Sequence, residues 1–194
     1  MKVRDSVASY KISKKRYTYQ DYLEMPDDGN RYEIINGELI MPPAPNTIHQ
    51  KVALKIEYEL LKFNDKETKG ELFHAPYDVV MSDMNVVQPD ILFVSTARHD
   101  IVGQEYIEGA PDLVVEVLSP SNWLYDRSEK FRAYRDAGVG EYWIVDPRAD
   151  TLEVFVHEAE ASDYVLLNKF KMGDVVTLHV LSGFEVAVDE VLGN

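Results

Sequence analysis

The chain has 194 residues, 20 Lys and Arg against 34 Asp and Glu, a formal net charge of −14 and no cysteine. That length suits one domain, whose core can stand without a disulfide or a structural metal. Lack of cysteine excludes a disulfide framework, a thiolate-held zinc or iron–sulfur centre and thiol catalysis.

Charge is unevenly spread along the chain. Residues 1–17 carry Lys2, Arg4, Lys11, Lys14, Lys15 and Arg16 against Asp5, a local balance of +5, which leaves −19 on the remainder. This segment reads as a basic, flexible N-terminal arm ahead of a single domain over residues 18–194. It has no apolar stretch of the signal-peptide kind, and nowhere do about 18 apolar residues run together, so a soluble, cytoplasmic protein is expected. So acidic a body argues against nonspecific coating of nucleic acid, because phosphate binding runs on Lys and Arg. It leaves room for an enzyme whose acids hold a divalent cation.

Thr18 is placed to cap a short helix that stops before Pro26. Two β-prone runs around Asn36-Gly37 read as a hairpin, since both residues tolerate positive φ. Asn46 or Thr47 can cap a helix to about Phe63, with Ile48, Val52, Ile56 and Leu60 as its buried stripe. Strands are expected in ELFHAPYDVVM, QPDILFV and PDLVVEVLSP, the last two dense enough in apolar residues to be covered on both faces. A second long helix is expected from about Asn122 to Ala137, ended by Gly138. EYWIVDP and TLEVFVHE read as strands joined at Asp146-Pro147, and the tail (YVLLNKF, DVVTLHV, FEVAVDEVL) is β-rich. The sum is an α/β (α+β) fold: a mixed central sheet, two principal helices and a β-rich C-terminal extension.

Glu116 is the anomaly. It interrupts Leu113-Val114-Val115 and Val117-Leu118, where a central strand buries everything, and a lone buried carboxylate costs several kcal/mol unless compensated. Asp90 repeats the pattern before Ile91-Leu92-Phe93-Val94. Two acids on adjacent apolar strands can chelate a hard divalent ion through oxygen; alternatively, each pairs with a buried base or caps a turn. In the helix that follows, Asp126 and Lys130 are four apart on one face, with Arg127, Arg132 and Arg135 nearby. That pair can be an ordinary surface salt bridge, or Lys130 can serve a metal site by stabilising charge on a phosphoryl group.

The ordered segments YEIINGELI, NTIHQKVALKI, APYDVVM, VVQPDILFVS, IEGAPDLVVEVLSPS and DRSEKFRAYRDAGVGEYWIVDP resemble the Uma-type family of bacterial restriction-endonuclease-like proteins. The resemblance covers roughly residues 18 to 190 and is most specific in VVQPDILFVS, PDLVVEVLSPS and GVGEYWIVDP. It implies the PD-(D/E)xK nuclease fold, in which a mixed central sheet is flanked by helices, and a site needing Mg²⁺, with Mn²⁺ as substitute. Asp90 then matches the first metal-binding acid and Glu116 the second. The lysine usual two residues later is here Leu118, and the resemblance points instead to Lys130, supplied from the helix. Glu38 resembles the acid of the family's GEL motif and would complete the metal shell; the alternative is a solvated acid after the turn. His49 could meet a scissile phosphate or water, or be a packed or capping residue.

The expectation is therefore a Mg²⁺-dependent DNA endonuclease with Asp90 and Glu116 on the metal, Lys130 stabilising the transition state, Asp126 orienting it, and Glu38 and His49 in support. DNA is the expected partner, and a homodimer is expected because two sites related by a twofold axis suit a duplex. The rival is a nuclease-fold module that binds nucleic acid or protein without turnover, which Leu118 and the net charge both favour.

Overall fold

The computed structural model describes residues 15–120, 123–157 and 163–193. Most of the basic arm therefore lies outside the described residues. Its last part is tied down: the Lys15 ammonium pairs with Asp21 at 2.7 Å, and the Tyr17 amide donates to the Gly37 carbonyl at 2.9 Å.

Thr18 caps α1 (Tyr19–Leu23) in a reciprocal capping box with Asp21. Strands β1 (Glu33–Ile35) and β2 (Glu38–Ile40) form the expected hairpin, with Asn36 at φ 51° and Gly37 at φ 78°. Helix α2 (Thr47–Glu67) is capped by Asn46, whose side chain accepts from the His49 amide. Its buried stripe is His49, Val52, Ile56 and Leu60, whereas Ile48 is 61% exposed. A spacing of strictly four residues drifts around a helix of 3.6 residues per turn, and at this end the drift places His49 inward in place of Ile48.

The segment ELFHAPYDVVM is two strands rather than one. β3 (Gly70–His74) and β4 (Asp78–Ser82) are separated at Ala75-Pro76 and join different sheets. Two short strands without a clear sequence signal follow the same division: β5 (Asn85–Val87) and β7 (Tyr106–Glu108) lie either side of β6 (Ile91–Ser95) in the chain, but belong with β4. The five-stranded sheet has the order β2-β1-β5-β4-β7.

The six-stranded sheet adds β8 (Leu113–Val117), β9 (Glu141–Asp146), β10 (Thr151–His157) and β11 (Tyr164–Lys171), in the order β11-β10-β9-β8-β6-β3. Every pairing in it is antiparallel except β8 with β9. A parallel pair needs a crossover, and here it runs through α3 (Trp123–Tyr125), a π-turn (Asp126–Lys130) and α4 (Phe131–Ala137). The single α-helix expected over this stretch thus carries a π-turn, and Asn122 lies outside the described residues. Gly138, at φ 83°, ends α4 as expected. In the tail, β12 (Val175–Thr177) pairs with β13 (Glu185–Ala187), and the last part of FEVAVDEVL is helical, α5 (Val188–Leu192).

Strand alternation then sorts the core. Ile91, Phe93, Leu113, Val115, Val117, Trp143 and Val145 face one side, packed with Val52, Ile56 and Leu60 of α2 and with the β12–β13 and α5 segment. Leu92, Val94, Val114, Leu118, Tyr142 and Ile144 face the other, packed with Ala133 and Tyr134 of α4 and with Ile35, Val79 and Val87 of the second sheet. Glu116 has the parity of Val114 and Leu118, so its carboxylate is directed to the side of the crossover helix.

Candidate active site

Strand register brings the two central acids together. Ile91 pairs with Val115 across the antiparallel β6–β8 ladder, so Asp90, one residue earlier, stands opposite Glu116. The Val117 amide donates to Asp90 Oδ2 at 2.8 Å. His49 Nε2 lies 2.9 Å from the same oxygen; a carboxylate only accepts, so Nε2 is the donor in this contact.

Lys130 does not sit on the surface. It is 6% exposed, and its ammonium donates to Glu116 Oε1 at 2.8 Å and lies 3.0 Å from Glu33 Oε1. The Tyr134 hydroxyl, one turn further along the crossover, also donates to Glu116 Oε1, at 2.6 Å. Asp126 is 2% exposed and acts on Lys130 through charge; the ammonium's ion pairs among the described residues are with Glu33 and Glu116. The surface-bridge alternative is thereby removed, and Asp126, expected to orient Lys130, makes no ion pair with it. Both residues lie in the π-turn, a local widening common where a helix serves a site.

The remaining bases of that helix point elsewhere. Arg127 pairs with Glu153, Arg132 with Glu129, and Arg135 with Asp136 and Asp163. None of these ion pairs is with an acid of the cavity.

Leu118 shows why no lysine arises from the strand. Its amide continues the parallel ladder to the Val145 carbonyl at 2.7 Å, and its side chain is buried in the apolar cluster with Ala133 and Tyr134. That position is filled by packing, and the cation arrives from the helix laid over it.

Glu33 is the site residue that sequence reasoning passed over. It is 1% exposed on β1, and its Oε1 accepts from the Gln88 amide at 2.9 Å as well as from Lys130. The signal was present, since Glu33 interrupts Tyr32 and Ile34-Ile35 much as Glu116 interrupts its strand. Glu38, the acid expected here, is exposed on β2 and lies outside the cavity lining; Glu33, on the other strand of the hairpin, reaches the cluster instead.

Glu33, Asp90, Glu116 and Asp126 line one cavity with Lys130, His49, Gln88 and Arg31, beneath a rim of Pro42, Pro43 and Pro45. The electrostatics are those of an acid surplus. Burial, with the negative charges of Asp90 and Glu33, pushes Glu116 up to about 7 despite its bond to Lys130. Burial likewise raises Asp126 well above the usual carboxylate range. Burial alone would lower Lys130, but Glu116, Glu33 and Asp126 together hold it well above its ordinary value, so it is charged. Lys130 thus answers Glu33, Glu116 and Asp126, while Asp90 is met by the Val117 amide and His49.

Three buried polar atoms on this lining have no hydrogen-bond partner: Glu33 Oε2, Gln88 Oε1 and His49 Nδ1. All three are acceptors when the histidine is neutral, so what they lack is a donor or a cation. Surplus acid and unpaired oxygen fit a hard divalent ion. Among the described residues no three His, Asp or Glu side chains are already gathered as a metal cage; water or substrate oxygens would supply the balance of ligands.

A family model described as "Putative restriction endonuclease" (Uma2) matches residues 19–189, and the chain belongs to that family. A crystal structure of "a putative nuclease belonging to DUF820" from Anabaena variabilis ATCC 29413 superimposes with a TM-score of 0.74 at 18% identity, covering 90% of this chain and 97% of that one; it supports the fold. An uncharacterized protein of Synechocystis sp. is 31% identical over 113 residues, and the match covers 58% of this chain and 57% of that relative's length.

Proposed function

We propose that the chain is a Mg²⁺-dependent endodeoxyribonuclease of the PD-(D/E)xK type, whose lysine comes from the crossover helix. The observation that carries this reading is the cavity that four acids line together with Lys130, in which Glu33 Oε2, Gln88 Oε1 and His49 Nδ1 lack partners. Asp90 and Glu116 would hold the metal, with Mn²⁺ as substitute, and a bound metal supplies an activated water and neutralises charge on the attacked phosphate.

The chain's own groups then divide the work. His49 fixes Asp90 through Nε2 and offers Nδ1 as an acceptor for a proton from the attacking water. Lys130 donates toward the charge that develops on the non-bridging phosphate oxygens. Glu33 shares that ammonium with Glu116 and would keep it in place were Glu116 to hold a metal. Tyr134 fixes Glu116 Oε1 from below.

The test is cleavage of plasmid, linear and single-stranded DNA in Mg²⁺ or Mn²⁺ by the wild type, Glu116→Gln and Lys130→Ala. Loss of cleavage in both variants, with the fold retained by circular dichroism, supports the assignment. Cleavage that survives in Glu116→Gln removes it. Metal-binding calorimetry separates the rival: a wild type that binds Mg²⁺ or DNA but cuts none of these substrates is the non-catalytic module.

A further inference from the structure

Carboxylates outnumber bases so heavily in this chain that an arginine without an acidic partner is informative. Arg98, Arg127, Arg132 and Arg135 all sit in ion pairs, and Arg16 donates to the Met84 sulfur on the far side of the hairpin turn. Among the described residues, the two arginines whose side chains have no partner are Arg31 and Arg148. Both line clefts at the site. Arg31, half-buried just before β1, lines the catalytic cavity. Arg148 lines a second, more open cleft with Leu118, Asp146 and Ala149. Ser119 lines both clefts, so they adjoin.

The backbone under Arg148 is fixed while its guanidinium is not. Asp146 Oδ1 accepts from the amides of Arg148 and Ala149 at 3.0 and 3.3 Å, closing the β9–β10 turn. The cleft lies where the parallel strands β8 and β9 both end, past Val117 and Asp146. Planar guanidinium forks match phosphate oxygens in pairs. An anion held there would stand next to the acid cluster without entering it.

Resting on the nuclease reading, we propose that Arg31 and Arg148 form a two-point phosphate track. Arg31 grips the phosphate being attacked, and Arg148 grips the next phosphate of the same strand in the adjoining cleft. The substrate class favoured is a polynucleotide, whose successive phosphates engage both arginines, whereas a small diester engages Arg31 alone. The track also explains how an acidic protein holds a polyanion: it leaves unpaired only those arginines that face the strand.

Two measurements test this. The first is fluorescence anisotropy with a short labelled duplex and its single strand, in Ca²⁺ and across a salt series. Arg31→Ala and Arg148→Ala are each expected to weaken binding several-fold and to flatten the slope of log K against log salt by about 0.9, while Arg148→Lys keeps the slope. Arg16→Ala and Arg132→Ala, on exposed arginines away from the clefts, leave both unchanged. The second uses bis(p-nitrophenyl) phosphate, which has one phosphate: Arg148→Ala slows DNA cleavage but not hydrolysis of this diester, whereas Arg31→Ala slows both. Unchanged slopes in both variants, with a wild type that binds and cuts DNA, overturn the track and leave the nuclease reading standing. Equal loss of small-diester hydrolysis in Arg148→Ala overturns the assignment of a second phosphate. A wild type that neither binds nor cuts any nucleic acid overturns both readings.

Discussion

Two glutamates on the neighbouring strands β8 and β9 are buried in opposite ways. Glu141 accepts from Trp143 Nε1 at 2.7 Å and from the His179 and Val180 amides at 2.8 and 2.9 Å, and no base is needed. Glu116 accepts from Lys130 and Tyr134, and three further acids crowd the same cavity. Burial raises both carboxyls. Glu141 is finished by dipoles that belong to the fold, whereas the cluster around Glu116 is left acid-rich and short of donors. A buried acid alone does not mark a site; a buried acid whose surroundings are incomplete does.

The largest test of that contrast is Lys130→Ala, which strips the cluster of its internal cation. Removing one partner of a buried ion pair costs about 3–5 kcal/mol, and urea unfolding should show the greater loss at pH 8. At pH 5 Glu116, with its value near 7, is protonated and needs no counter-charge. An equal loss at the two pH values breaks the comparison.

Glu141→Gln comes next. Its amide group must turn a donor toward existing donors, a cost of about 1–3 kcal/mol, while cleavage per folded molecule is unchanged. The same substitution at Glu116 has the reverse pattern: cleavage is lost, and stability at pH 8 is held or gained. The sign follows from linkage. Between its unfolded value and about 7 the folded protein binds the extra proton at Glu116, so the wild type loses stability as pH rises through that window. Thermal melts should therefore show the gap between Glu116→Gln and wild type widening from pH 5 to pH 8, and Mg²⁺ affinity of the wild type should rise over the same range. A gap that shrinks with pH would mean that Glu116 is stabilised as a carboxylate. The smallest effect separates the two hairpin acids: Glu33→Gln impairs cleavage, whereas Glu38→Gln, on an exposed side chain, changes neither rate nor melting temperature.

Much of this was legible before the fold was known. Asp90 and Glu116 stood out because charge breaks an apolar run, and strand pairing brings them together. Lys130 was reached through family resemblance, since no local pattern says that a helical lysine turns inward. Glu33 obeyed the rule that found Glu116, but its run is three residues long and adjoins a strong turn signal that draws attention to Glu38. The second sheet was hidden because β5 and β7 are too short for alternation to register. His49 was found as chemistry, while its burial was obscured by Ile48 beside it.

The crossover gives the site a mechanical property. Glu33 and Glu116 ride on strands held by ladders on both sides, whereas Lys130 rides on a helical segment that links two strands. Any excursion of that segment would withdraw the ammonium that Glu33 and Glu116 share. Lys130 therefore works as an electrostatic latch on the helix that carries it. A bound divalent ion would take over part of its load, so the amides of α4 should exchange with deuterium at a rate that responds to metal, while those of β8 should not.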